Sequence, residues 1–231
     1  MKLLFVASDS MEFRGLSRRC TPARALDLRA LWSRAASLAG HEILLTANGA
    51  GAHRAAAAVD AAVPLFRPDA IFSIGFCGAL APDLAIADIV VGTTIFAGNR
   101  AFAAEFPLAA PRHRQGPVWT VDHVVATKTE KSRLHATGAI AVDMEAAGVA
   151  TRAQALSLPF FCIKTVTDLA NETMANDFNA ALRSDGQFDT IKILASSLRH
   201  PSVRLPELIR LRTRCARAAR RLGDFIADCR F

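Results

Sequence analysis

No CxxC pair occurs in this sequence, and its five cysteines (Cys20, Cys77, Cys162, Cys215, Cys229) are scattered and odd in number. That argues against a disulfide framework or a zinc site and makes the cytoplasm the expected compartment. The six histidines form neither HxxxH nor HExxH, so no metal is expected. No stretch of membrane-spanning length is apolar without a charge. The apolar start of "MKLLFVASDSMEF" is also too short for a signal peptide. The expectation is a soluble, untargeted chain. Neither GxGxxG nor GxxxxGK[ST] is present, which weakens dinucleotide and phosphoryl-transfer readings. There is no internal repeat, no low-complexity linker and no marked domain boundary.

What is present is globular. The 231 residues are 52% hydrophobic and 21% charged, enough for one sizeable domain and far from a disordered composition. The net charge of +7 is concentrated at the end, where eight arginines after residue 203 face only Glu207, Asp224 and Asp228. A basic helix there raises nucleic-acid binding as a function, but no aromatic platform accompanies it, so no nucleic-acid partner is expected.

Strand-like and helix-like segments alternate. "KLLFVAS" is a short buried-strand run. "TPARALDLRALWSRAASLAG" reads as a helix over 21–40, with Thr21 as cap, Pro22 at the first helical position and Gly40 as the stop. "EILLTANGAG" predicts a strand and turn, followed by a helix over 54–62. "DAIFSIGFCGALAP" predicts a strand running into a glycine loop, and "ADIVVGTTIF" a further strand. Residues 97–116 carry no clear periodicity and read as loop. "PVWTVDHVVAT" reads as a strand, then a helix at 130–135, a strand at 139–142 and a helix at 145–157. "PFFCIKTVTDLAN" is the last strand, and helices follow over 187–198 and 206–227. The alternation predicts an α/β single domain, a central mixed β-sheet flanked by helices. Residues 1–200 form the expected catalytic domain, with 201–231 a basic amphipathic helix packed on it or on a membrane surface. Ligands of such sheets sit at the carboxyl ends of the strands.

That edge is where the carboxylates fall. Asp168, at the end of an apolar strand, suits a general acid whose pKa desolvation has raised, or simply caps the next segment. Glu145, after Met144 in "GAIAVDMEAAGVA", falls at the start of a helix. There it is either solvated or a double acceptor for adjacent hydroxyls. Gly75 and Gly78 in "SIGFCGAL" allow close backbone approach to a ligand, or mark only a turn. Glu12, after the first strand, can activate a water or lie on the surface.

Their order along the chain resembles the superfamily of nucleoside phosphorylases and methylthioadenosine/adenosylhomocysteine nucleosidases. The resemblance covers roughly residues 1–198, and "VDMEAAGVA" and the aspartate of "TVTDLAN" are its sharpest motifs. It implies that Met144 and Glu145, with Asp143 behind, grip the ribose. It implies that Asp168 protonates the purine at N7, that Glu12 activates the attacking water, and that the backbone at Val124 and Val125 recognises the base. The family usually has an aromatic residue at one of these two positions, where this sequence has valine at both. The family usually assembles as dimers or larger oligomers, so a homo-oligomer is expected, and no organic cofactor.

Phosphorylases of this superfamily hold phosphate with an arginine before the glycine loop and a serine within it. The matching positions here are Ser73 and Phe76, which favours water over phosphate as co-substrate unless Arg14, Arg18 or Arg19 substitutes. Phe76 is also placed beside the purine, and Ser73, Gly75 and Gly78 in the loop around the nucleophile. The tail after residue 184 looks like the branch associated with hopanoid biosynthesis, whose members remove adenine from adenosylhopane. Leu208, Leu211, Cys215, Ala218, Leu222 and Phe225 form an apolar stripe among arginines. The stripe packs on its own domain or meets an anionic membrane carrying a lipid-linked nucleoside.

Overall fold

The computed structural model describes residues 1–21 and 24–231. A mixed sheet runs through the molecule: β1 (Lys2–Ala7), β2 (Arg24–Ala25), β3 (Trp32–Leu38), β4 (His41–Ala47), β5 (Ala70–Ala79), β6 (Ile89–Ala97), β7 (Arg100–Ala103), β8 (Arg114–Thr120), β9 (Ala141–Asp143) and β10 (Phe160–Asp168). The helices are α1 (Arg14–Ser17), α2 (Ala52–Phe66), α3 (Lys128–His135), α4 (Ala146–Ala155), α5 (Phe178–Ala181), α6 (Thr190–Ser197) and α7 (Pro201–Ala227).

The hub is β5, parallel to β1 and β10 and paired at its far end with antiparallel β9. Because β10 also pairs with β6, and β6–β8–β9 leads back to β5, this half of the sheet closes on itself. The other half runs open through β1 and β4 to the β3–β2 edge.

Alternation along β1 feeds two cores, one on each face, as expected of a strand buried on both sides. Leu4 and Val6 join Ala58 and Val59 of α2 and Val149 of α4. Leu3 and Phe5 join Phe72, Phe161, and Leu222 and Phe225 of α7. In the second core Phe5, Phe72 and Phe161 stack at centroid distances of 4.5 and 4.6 Å, and the terminal Phe231 closes edge-on at 4.7 Å from Phe72.

Four expectations change. The 21–40 helix is absent: β3 lies there, paired along its whole length with β4, while Pro22 lies outside the described residues. Gly40 is a hairpin turn rather than a helix stop, with φ of 50° at Ala39 and 84° at Gly40. Ladder hydrogen bonds and the stacking of Trp32 on Phe13 at 5.2 Å override helix propensity. Within the loop expected over 97–116, β7 hydrogen-bonds to β6, and β8 begins at Arg114. The strand expected through residue 127 ends at Thr120. The glycine loop is also strand, since β5 continues through Gly75 and Gly78 to Ala79.

Candidate active site

A cavity of about 500 Å³ opens where β1, β4, β5, β8, β9 and β10 end, the edge that strand polarity favours for ligands. The acid of the segment after β1 is fixed by a 3-10 turn, Ser10–Phe13, capped by Asp9. Glu12 is buried, and its Oε2 accepts from Ser8 N–H (2.8 Å), Ser8 Oγ (2.9 Å) and Asp9 N–H (3.0 Å). Its Oε1 accepts from Phe76 N–H at 2.7 Å. Burial pushes its pKa up against these hydrogen bonds and Lys164.

Asp168 ends β10 and is buried, with Oδ1 accepting from Thr167 Oγ1 at 3.2 Å. Its Oδ2 pairs with the wholly buried ammonium of Lys131, which also donates to Leu169 O at 2.8 Å. Burial raises the Asp168 pKa, and the Lys131 charge opposes that rise.

The "VDME" run divides its two acids between different tasks. Asp143 Oδ2 pairs with Lys164 Nζ at 2.7 Å and accepts from Ala146 N–H at 2.8 Å, capping α4. Its Oδ1 accepts from Thr120 Oγ1 at 2.6 Å. Glu145 occupies the N-cap position of α4 without making the capping bond. Among the described residues it has one hydrogen-bond donor, Oε1 accepting from Gly51 N–H at 3.1 Å. Burial pushes its carboxyl up to about 8, with Lys164 opposing and Asp143 and Glu12 adding to the rise.

A profile of the Phosphorylase superfamily matches residues 33–109 and 99–193, more than half of the sequence. The chain belongs to this superfamily. It is 27% identical over 191 residues to a 5'-methylthioadenosine/S-adenosylhomocysteine nucleosidase of Shewanella piezotolerans, covering 70% of this chain and 83% of that protein. A nucleosidase of the same description from Staphylococcus aureus is 24% identical over 70% of this chain and 84% of its own length. Among solved structures, the Campylobacter jejuni nucleosidase superposes with a TM-score of 0.72 at 16% identity, over 98% of this chain and 97% of that one. A futalosine hydrolase mutant of Helicobacter pylori gives 0.69 at 15% identity, over 98% of both chains. Both likenesses are of fold.

In this member of the superfamily, Glu12, Met144, Glu145, Val124, Val125, Phe76, Gly78 and Asp168 all line the cavity. Ser73 does not. It is wholly buried inside β5, and its hydroxyl has no hydrogen-bond partner among the described residues. The expected anion loop is therefore corrected to a strand whose glycines make room for carboxylates. Gly75, at φ 129°, lies against Glu12, and a Cβ on Gly78 would stand 2.9 Å from Asp168 Oδ2. Asp143 also borders the cavity, and its charge is paired with Lys164. None of Arg14, Arg18 and Arg19 lines the cavity, and Arg19 pairs with Asp224 and Asp228. The main chain of Val124 is already engaged, its N–H donating to Asn179 Oδ1 (2.7 Å) and its C=O accepting from Asn179 Nδ2 (2.9 Å). No described residue bonds to the N–H or C=O of Val125.

Sequence reasoning missed four residues here. Lys164 interrupts the apolar run "FFCIKTVTD", a visible signal that a buried carboxylate must lie opposite. Lys131 gives no such sign in polar "TEKSRLH". His123 lines the cavity between Asp122 Oδ1 and Glu130 Oε1, both at 2.8 Å, and these hydrogen bonds raise its pKa. Trp32, read as helical, supplies an aromatic wall. Among the described residues no cluster of three His, Cys, Asp or Glu side chains is placed to hold a metal.

Proposed function

We propose that this enzyme is a purine nucleosidase that hydrolyses a 5'-substituted adenosine, the substituent being large and apolar, as in adenosylhopane. One observation carries the reading. The cavity gathers Glu12, Glu145 and Asp168, and no lysine or arginine among the described residues lines it. A phosphate nucleophile, or the carboxylate of a homocysteine arm, would be held there without the bidentate guanidinium or the ammonium that usually grips such a group, His123 being already engaged by Asp122 and Glu130. Water and an apolar substituent need no such cation. Leu31, Trp32, Phe188, Ile193, Leu211 and Cys215 supply apolar wall.

In this reading Glu145, with Met144, accepts hydrogen bonds from the ribose hydroxyls, and the free N–H and C=O of Val125 meet the adenine edge. Asp168 delivers its proton to N7 as the C1'–N9 electron pair moves to the base, so adenine leaves neutral. Glu12 takes a proton from water as the water oxygen bonds to C1'. The cationic sugar in between is stabilised by these carboxylates, as in other glycosidic cleavages. The relatives named as nucleosidases support the same reaction class.

The test is adenine release from methylthioadenosine, adenosylhomocysteine, inosine and detergent-solubilised adenosylhopane, with and without phosphate. Phosphate-independent release from adenosylhopane alone is expected. Release confined to the thionucleosides would move the enzyme to small-metabolite salvage, and strict phosphate dependence would make it a phosphorylase. Asp168→Asn is expected to lower turnover by about 10²–10⁴-fold while leaving nucleoside binding near wild type. Binding without release in the wild type would identify a nucleoside-binding protein instead.

A further inference from the structure

The apolar stripe of α7 points inward: Ala218, Leu222 and Phe225 are buried, and Leu211 and Cys215 line the cavity. A different apolar surface is left open. On α6, Ile191, Leu194 and Leu198 follow the spacing of a single helix face and are 80%, 48% and 67% exposed. Val203 and Ile209, in the first half of α7, are 58% and 69% exposed. The opposite side of α6 faces the protein, where Ile193 lines the cavity and Ser197 Oγ donates to Asn176 Oδ1 at 2.7 Å. These outward residues therefore hold no part of the fold together, and they flank the substrate cavity.

Past Asp189, which caps α6 by accepting from Lys192 N–H at 2.9 Å, the charge of this face is almost wholly positive. Between residues 190 and 223 the only acid is Glu207. It is buried, and its oxygens accept from the N–H groups of Ala175 and Asn176 at 2.8 Å. Lys192, Arg199, Arg210 and Arg212 are exposed, with no carboxylate partner among the described residues; the ion pairs of this stretch belong to Arg214 and Arg220. A second copy of the chain would bring like charges together across this face. An anionic surface that also accepts protruding aliphatic side chains satisfies both features at once.

We propose that the outer face of α6 and of the first turns of α7 docks on an anionic lipid bilayer. Ile191, Leu194 and Leu198 enter the headgroup–acyl boundary, and the neighbouring lysine and arginines bind lipid phosphates. No helix among the described residues is long and apolar enough to cross a membrane, so attachment is peripheral and reversible. Docking places the cavity wall formed by Ile193 and Leu211 beside the bilayer. The proposal needs no particular substrate.

The test is co-sedimentation of the full chain with vesicles of phosphatidylcholine alone or mixed with phosphatidylglycerol. Binding is expected to the mixed vesicles only, to weaken with salt, and to fall about tenfold or more in Lys192→Glu/Arg199→Glu. Ile191→Ser/Leu198→Ser should lose it as well. Both variants change exposed residues that do not line the cavity, so their melting temperatures should match wild type. Failure of the wild type to bind mixed vesicles would overturn the proposal, as would binding indifferent to both variants. A wild-type dimer split by Ile191→Ser/Leu198→Ser, without vesicle binding, would assign the face to a second copy. Vesicle binding is read without turnover, so a failed nucleosidase assignment would show only in the adenine assay.

Discussion

A lysine in the middle of a buried strand survives only if carboxylates surround it, and Lys164 meets that condition. It is wholly buried, paired with Asp143, and its charge also reaches Glu145 and Glu12. Burial alone would lower its pKa, but Asp143, with Cys162 and Glu145, outweighs burial and raises it. Lys164→Met is expected to cost about 3–5 kcal/mol in urea unfolding, because Asp143 loses its counter-charge. Adding Asp143→Asn should recover part of that loss. The raised carboxyl of Glu145 has a separate consequence. In the native state it keeps a proton up to about 8 that the unfolded chain releases near 4.5. Its contribution to stability is thus full below 4.5 and is lost as pH rises through about 8. Glu12 and Asp168 act in the same direction, since burial raises both. The melting temperature of the ligand-free protein should fall across that window, and Glu145→Gln should flatten the slope. Glu12, Glu145 and Asp168 could be singled out in the sequence because each follows an apolar strand at the ligand-binding edge. Lys131 could not, because its partner Asp168 is 37 positions away.

Among the elements, the short α5 shows how a loop beside the cavity is held in place. Asp177 caps it, accepting from Ala180 N–H at 2.9 Å. That fixes Asn179, whose amide grips both main-chain groups of Val124. Neighbouring residues of an extended chain point their main-chain groups to opposite sides, so the grip leaves those of Val125 free on the other side. Asn179 is a positioning residue in this account. Asn179→Ala should raise KM about tenfold, the worth of one or two hydrogen bonds, with kcat little changed. A loss confined to kcat, or no change in KM, would count against that role. The hairpin of β3 and β4 marks the opposite limit of sequence reasoning. Leu28, Leu31, Trp32, Ala35 and Leu38 fall at helical spacing, yet residues 32–38 pair as a strand with β4, and in part with β2, and present Trp32 to the cavity.

For the whole molecule, the final helix is structural before it is anything else. Leu222, Phe225 and Ile226 of α7 are buried in the same core as Phe5, Phe72 and Phe161. Arg214 also clamps Glu172 through two hydrogen bonds of 2.7 and 2.8 Å. Residues 1–200 therefore lack one wall of their own interior. A chain ending at residue 200 is expected to aggregate or to show no cooperative melt, whereas a cooperative melt would mean that the first 200 residues fold alone. The sequence by itself determined the α/β layering, through apolar runs alternating with capped helices, and the places of the cavity acids, through motifs local enough to be contiguous. Tertiary structure alone decided which acids are free. Asp143 and Glu145 stand two positions apart in one motif, and only the fold sets Lys164 against the first and leaves the second, among the described residues, with the Gly51 N–H as its one hydrogen-bond donor. A charge's partner is chosen by proximity in space, and here the nearest charges come from strands distant in sequence.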